Sequence, residues 1–438
     1  MRDISRWQQE IALQLKPAWP SAALMQVSAF CAIELGLYTL QQLAPNDHAH
    51  ALWALLSGYP FSEQAHPDWS TEHAHKLATV RHLLPFYRSP VPWQRALQQY
   101  RQIEERLRGY TVSSTLEHYD TRQPLLATRR WDIYEQAITQ ALPYQRVPLR
   151  WAGPGSYWFV DRKFRQSVTI PADIPLPALP VHHNLQGVAQ RPAYAVTIEE
   201  LRETASWMDS QLSRQNQSAS WRERIDRIGL SMFNAQRTAL LDSPALSLHG
   251  MVHLVGMVGS GKSTLMDVLA VCLTRRGLRV TVVVGDVMNA LQRTELYELL
   301  GLQAAPILGQ SNRTRHLQRL HRALSPDETI TSSALLQRRF RWLSTACALD
   351  GLGSQTGPYD ITDRPCTRLI PAGVEEERLH TCPFYGTCAY HTAQRELVDS
   401  ALWVATPPSL IFTRIAPPVN QERLRFLELV IKRSDVIL

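Results

Sequence analysis

Lysine is nearly missing from this chain. Of 46 basic side chains in 438 residues only five are lysines: Lys16, Lys76, Lys163, Lys262 and Lys432. Arginine supplies the rest of the positive charge, with a net charge of +7 and a pI of about 9.2. Guanidinium forks suit bidentate phosphate contacts, so an anionic partner is expected, although a GC-rich genome would write the same bias. An export signal is lacking too, because the first ten residues carry Arg2, Asp3, Arg6 and Glu10 where a signal needs an apolar core. Long apolar runs are scarce. The longest, Ser21 to Leu40, is interrupted by Gln26, Ser28 and Glu34 and reads as a buried helix, not a membrane span. Cysteines number only six, four of them after residue 340. In a chain without an export signal that clustering points to metal ahead of disulfides, and to a cytoplasmic location. What remains is ordinary: 45% hydrophobic and 19% charged residues describe a folded chain long enough for two or three domains.

With lysine so rare, the position of Lys262 carries weight. Gly256, Gly261, Lys262 and Ser263 fit G-x-x-x-x-G-K-[ST], the phosphate-binding P-loop, with Gly259, Ser260 and Thr264 completing the stretch. The residues from His249 to Val255 are expected to enter it as an apolar strand. Those from Leu265 to Leu273, apolar at helical spacing, are expected to leave it as a helix. Glycines let backbone N–H groups curl round phosphates, and the helix start adds partial positive charge. Lys262 is expected to reach the β- and γ-phosphates of ATP, and Ser263 to hold Mg²⁺.

Residues 1–143 read as a mainly helical N-terminal domain, with helices over Arg6–Lys16, Ala22–Leu43, Trp93–Arg108 and Arg130–Leu142, and a break at the prolines 90 and 92. Residues 144–196 read as a short β-rich segment. Its strands are expected at Arg146–Trp151, Ser156–Val160 and Ser167–Ile170, with a turn at Gly153 to Gly155, followed by a proline-rich linker. Thr197 and Glu200 spell a capping box that opens a helix. A second helix is expected from Ser220, carrying Gln236. The β-branched run from Arg279 to Val284 reads as a buried parallel strand, with a helix from Asp286 to Gly301. Strand, P-loop, helix, strand, helix is the order of a RecA-like α/β core, expected over 197–438. Between Asn312 and Thr345, Arg313, Arg315, Arg319, Arg322, Arg338, Arg339 and Arg341 face only Asp327 and Glu328. That surplus suits phosphate backbone binding or, equally, a solvated helix face.

Cys347, Cys366, Cys382 and Cys388 leave gaps of 18, 15 and 5 residues inside a cysteine-rich stretch of about 340–400. Four thiolates on loops suit a [4Fe–4S] cluster or a structural Zn²⁺, and the gaps are not those of paired C-x₂-C units.

A P-loop followed by a strand, a helix and four cysteines, with Pro383, Phe384 and Tyr385 inside the last cysteine pair, resembles the XPD/DinG-like iron–sulfur DNA helicases of superfamily 2. The stretches Ala393–Ala405 and Ile431–Leu438 resemble the family's sequence after the last cysteine and the strand leading to its D-E-A-[HD] box. The resemblance covers about Gly229 to Leu438. It implies ATP-dependent movement on single-stranded or forked DNA, with the cluster domain inserted into the first motor domain. It also makes Gln236 a candidate reader of the adenine edge and the four cysteines ligands of a [4Fe–4S] cluster, Zn²⁺ being the alternative.

The sequence departs from the family where no D-E-x-[HD] box and no second motor domain follow Leu438, and where Gly285 and Asp286 replace a threonine-rich motif. The expectation is therefore the N-terminal portion of a helicase, acting in prokaryotic DNA repair or phage defence and paired with a second motor domain or partner protein. Alone it should turn over little ATP, for want of the Walker B acids. A nucleotide-binding switch with a zinc-stabilised cysteine domain is the alternative.

Overall fold

The computed structural model describes residues 3–20, 25–58, 66–122, 130–141, 143–173, 191–233, 240–241, 245–323, 334–353, 359–360, 364–373 and 378–438. The chain forms two compact units, Met1–Gln145 and Arg146–Leu438.

The first unit is helical, with α1 (Arg6–Leu15), α2 (Val27–Leu43), α3 (Leu52–Ser57), α4 (Thr71–Leu83), α5 (Pro90–Arg101) and α6 (Arg130–Thr139). A small antiparallel pair, β1 (Tyr110–Val112) and β2 (Tyr119–Thr121), lies between α5 and α6 in sequence. The prolines 90 and 92 do not break a helix but begin one. Pro90 occupies the first turn of α5, where its missing N–H costs nothing. The core gathers Phe30, Leu37, Trp93, Tyr100 and Tyr134 around one buried carboxylate. Glu34 accepts from Tyr100 Oη (2.8 Å), Tyr134 Oη (2.7 Å), Gly109 N (2.5 Å) and Arg130 Nη1 (2.7 Å). The polar residue in the long apolar run is thus the fully paired hub of this unit.

The second unit is mixed α/β. Its principal sheet is parallel, in the order β10 (Ala304–Ile307), β12 (Leu402–Ala405), β9 (Val280–Val283), β13 (Val436–Ile437). β12 is apolar throughout and β9 apolar but for the buried Thr281, whose hydroxyl bonds Ser434 Oγ at 2.7 Å, because each strand has a neighbour on both edges. The capping box at Thr197 and Glu200 forms as expected: Thr197 Oγ1 accepts from Glu200 N and Glu200 Oε2 from Thr197 N. It opens α7 (Ile198–Ser213), which packs with α8 (Trp221–Asp226), α9 (Lys262–Arg275) and the sheet in one apolar cluster. α10 (Val287–Leu299) is capped by Asp286. α11 (Arg313–Ala323), α12 (Ala334–Trp342) and α13 (Thr392–Asp399) lie between β10 and β12 in sequence. α14 (Pro407–Phe412) and α15 (Phe426–Arg433) follow β12.

Residues 146–170 join the cysteine-rich region. β3 (Gly155–Asp161) and β4 (Phe164–Ile170) form a hairpin, and β3 pairs on its other edge with β11 (Ile370–Pro371). Trp151 bridges Thr381. Arg146–Trp151, expected as a strand joined to β3 by a turn at Gly153 to Gly155, makes isolated bridges with Glu422 and Thr381 instead of a ladder. The β3–β4 turn lies at Arg162 and Lys163, with φ of +48° and +70°. Both central residues have the positive φ of a tight hairpin turn, a geometry that Asn-Gly advertises and Arg-Lys conceals. Tyr157, Phe159, Val168 and Ile170 pack with Leu349, Tyr359, Leu369 and Cys382.

Three expectations need correction. The stretch from His249 to Val255 is not a strand. β8 (Ala245–Leu248) pairs with β5 (Tyr194–Thr197), and the residues that follow find no ladder partner among the described residues, leaving Met251 and Val255 82% and 91% exposed. The helix expected from Ser220 through Gln236 ends at Asp226. Met232–Phe233 instead pairs antiparallel with Leu240–Leu241, and Gln236 itself lies outside the described residues. The arginines of 313–341 do not form one solvated face: Arg313 is buried, and Arg338 and Arg339 pair with Glu298 and Glu295. Arg315, Arg319, Arg322 and Arg341 are exposed.

Candidate functional site

The P-loop residues sit at the start of α9. Gly256, Gly259 and Ser260 are exposed, Gly261 and Lys262 half-buried, Ser263 exposed and Thr264 half-buried. Gly259 and Gly261 take φ of +84° and +85°, the left-handed region that side chains avoid. A Cβ at Gly261 would also lie 2.7 Å from Ile228. The α9 ladder opens with Leu265 N donating to Gly261 O at 2.9 Å, so the N–H groups of Lys262, Ser263 and Thr264 have no acceptor within their helix. Lys262 folds back over the loop, its Nζ donating to the carbonyls of Gly256 and Met257, both at 2.6 Å. An ammonium held by two carbonyls, a row of free N–H groups and a helix start can receive an anion of phosphate type. A cleft of 750 Å³ opens here, lined by Lys262, Ser263, Met266, Tyr194, Leu248 and Val436.

A second cleft of 640 Å³ lies at the carboxyl ends of β9, β10 and β12, where open parallel sheets place their ligands. Gly285, Asp286, Gly309, Asn312, His316 and Thr406 line it. The Asn289 N–H holds the Asp286 carboxyl below its ordinary range, so Asp286 is charged near neutral pH.

The four cysteines converge from separate loops. The Cys366 thiol feels the charge of the other three, Cys382 that of Cys347 and Cys388, and Cys347 that of Cys388, and Cys382 N donates to Cys366 O at 2.9 Å. Burial pushes the Cys347 and Cys366 thiols up, and that of Cys382 up to about 12. No disulfide joins them. As placed, no group of three or more His, Cys, Asp or Glu among the described residues could hold a metal ion.

Around the thiols lie buried and half-buried groups that no sequence motif singles out. Arg313 donates to Tyr390 O at 2.5 Å and Arg395 to Cys388 O at 2.5 Å. Arg313 and Arg364 lie over the ring of Tyr390, 4.4 and 4.8 Å from its centroid. Arg364 Nε and Nη1, Tyr385 Oη and both ring nitrogens of His391 are buried without a partner among the described residues. Burial and the three guanidiniums push His391 down to about 3, so its ring is neutral. Unpaired buried donors beside four thiols fit a bound group that carries its own acceptors. Four thiols with orphaned N–H groups beside them are a donor set that suits an iron–sulfur cluster or a zinc ion. No spacing pattern marks Arg364 or Arg395; only the fold brings them to the cysteines.

Residues 23–185 match the family model described as pPIWI RE three-gene island domain Z. The match covers well under half of the chain, taking in most of the helical unit and the β3–β4 hairpin. Comparison with curated proteins and with solved structures gives no match. Among the described residues no helix is long and apolar enough to cross a membrane.

Proposed function

We propose that the chain is the nucleotide-binding part of an ATP-dependent motor acting on single-stranded DNA, in the service of a defence island. The observation that carries this reading is the P-loop at the head of α9, beside a parallel sheet. Gly259 and Gly261 bend the backbone round an anion, and Lys262 is poised over the loop's own carbonyls. On binding ATP, Lys262 would exchange those carbonyls for the β- and γ-phosphates, and Ser263 would take Mg²⁺. The strands β9, β12 and β13, parallel and adjacent, support a RecA-like arrangement. DNA would lie across the cleft at the strands' carboxyl ends, with Arg315 and Arg319 exposed on α11 for its phosphates.

Cys347, Cys366, Cys382 and Cys388 would hold a [4Fe–4S] cluster, whose part is to stiffen a region otherwise built from loops and a two-residue strand. The domain match to a three-gene island supports the defence setting. The test is equilibrium binding of MgATP to the chain and to Lys262→Ala, with and without single-stranded DNA. Binding that Lys262→Ala abolishes and single-stranded DNA strengthens is expected. Equal binding by both proteins, or indifference to DNA, would overturn the motor reading.

A further inference from the structure

A guanidinium without acceptors is costly to bury, and two stacked on one ring repel each other. The second unit nevertheless places Arg313, Arg364 and Arg395 round the four thiols, with Arg313 and Arg364 sharing the Tyr390 ring. Arg313 is only 1% exposed and Arg364 8%. Among the described carboxylates Asp350 reaches Arg364, at 3.7 Å, and Arg313 donates to the carbonyls of Ser344 and Tyr390. Arg364 turns two donors, Nε and Nη1, to no acceptor among the described residues.

We infer that Arg364, together with Arg313 and Arg395, forms a cationic, hydrogen-bond-donating shell that sets the charge balance and retention of an anionic inorganic group held by the four thiolates. This rests on the reading of the cysteines as cluster ligands. The shell's part is electrostatic and positional. Arg395 straps the Cys382–Cys388 loop through the carbonyls of Tyr385 and Cys388, and Arg313 ties Ser344 to Tyr390. Arg364 is left as the member whose free donors meet the bound group. A positive shell stabilises the more negative, reduced state of such a group, so removing a cation makes reduction harder and removing an anion makes it easier.

The experiment uses anaerobically purified full chain, Arg364→Met and Asp350→Asn. Iron and sulfide per chain, the reduction potential from a spectroscopic titration, and the rate of iron loss to a chelator are measured. Arg364→Met should carry a more negative potential and lose iron several-fold faster. Asp350→Asn, which keeps the side-chain oxygen that accepts from Tyr359 N, should shift the potential the opposite way. If Arg364→Met does not fold, the Asp350→Asn shift still decides. An unchanged potential and unchanged iron loss in the variants overturn the shell. Wild-type protein with neither iron nor sulfide overturns the cluster reading itself. If it holds zinc instead, the shell stands or falls on faster zinc release by Arg364→Met.

Discussion

Replacing Arg130 with Met should loosen the helical unit more than any surface change could. The Arg130 and Glu34 side chains are both 0% exposed, and the guanidinium also donates to Leu107 O at 2.7 Å. Methionine fills similar volume but leaves the Glu34 carboxylate buried with three neutral donors and no counter-charge. Breaking one partner of a buried, hydrogen-bonded pair costs about 3–5 kcal/mol. The unfilled Leu107 carbonyl adds on the order of 1 kcal/mol. A domain of this size has a total stability of roughly 5–15 kcal/mol, so a third or more of it is at stake. Amide hydrogen exchange read by mass spectrometry isolates the effect to peptides of α2 and α6. At 1.4 kcal/mol per tenfold, the roughly 4–6 kcal/mol lost should accelerate exchange there by about 10³- to 10⁴-fold. Adding Glu34→Gln, which removes the stranded charge, should recover part of that loss. Acceleration of less than about threefold in Arg130→Met, roughly 0.6 kcal/mol, would refute the argument that Glu34 needs its cation.

Gly261→Ala should weaken nucleotide binding at least tenfold, since the new Cβ meets Ile228 and the φ of +85° is strained; titration with MgATP reads it. Glu298, pushed up to about 7 by burial against the pull of Arg338, favours the protonated carboxyl in the fold. Its contribution is full below about pH 4.3, the unfolded value, and is lost as pH rises through about 7. Exchange in α10 peptides should therefore quicken between about pH 4.5 and 7 beyond the intrinsic rate, by no more than about 1.4 kcal/mol per pH unit, and level off above; Glu298→Gln should flatten the trend. Phe159→Ala should open the hydrophobic cluster beneath Cys382 at a cost of about 3–5 kcal/mol. It should speed exchange in the β3 and β11 peptides together; an effect confined to β3 would contradict their shared core.

Much of the architecture was legible where local chemistry and tertiary packing agree. The capping box at Thr197, the valine run of β9 and the apolar face of α9 each state their element in a few residues. The failures have a common cause: the deciding partner lies far along the chain. His249 to Val255 has the composition of a strand but no neighbouring strand to pair with. Arg162 and Lys163 turn a hairpin without a turn residue because the β3–β4 register and the Asp161 contact with Asp360 N at 3.1 Å impose it. The prolines 90 and 92 read as a break because a proline that ends a helix and one that starts it look alike until Ser89 is seen at the cap position. At the sites, the P-loop is written in consecutive residues and could be read at once. The cysteines could be read only as a set, and their arginine neighbours not at all.

The pairing of β3 with β11 also bears on how such a gene can be rearranged. The stretch matched by the domain family stops at residue 185, yet its final hairpin packs Tyr157, Phe159, Val168 and Ile170 in one cluster with Leu349, Tyr359, Leu369 and Cys382. A recombination breakpoint anywhere between the two would strand those side chains in water and uncover Leu349, Leu369 and Cys382 on the other fragment. The hairpin and the cysteine loops are thus physically obliged to be inherited together, across the roughly two hundred residues that part them on the chain.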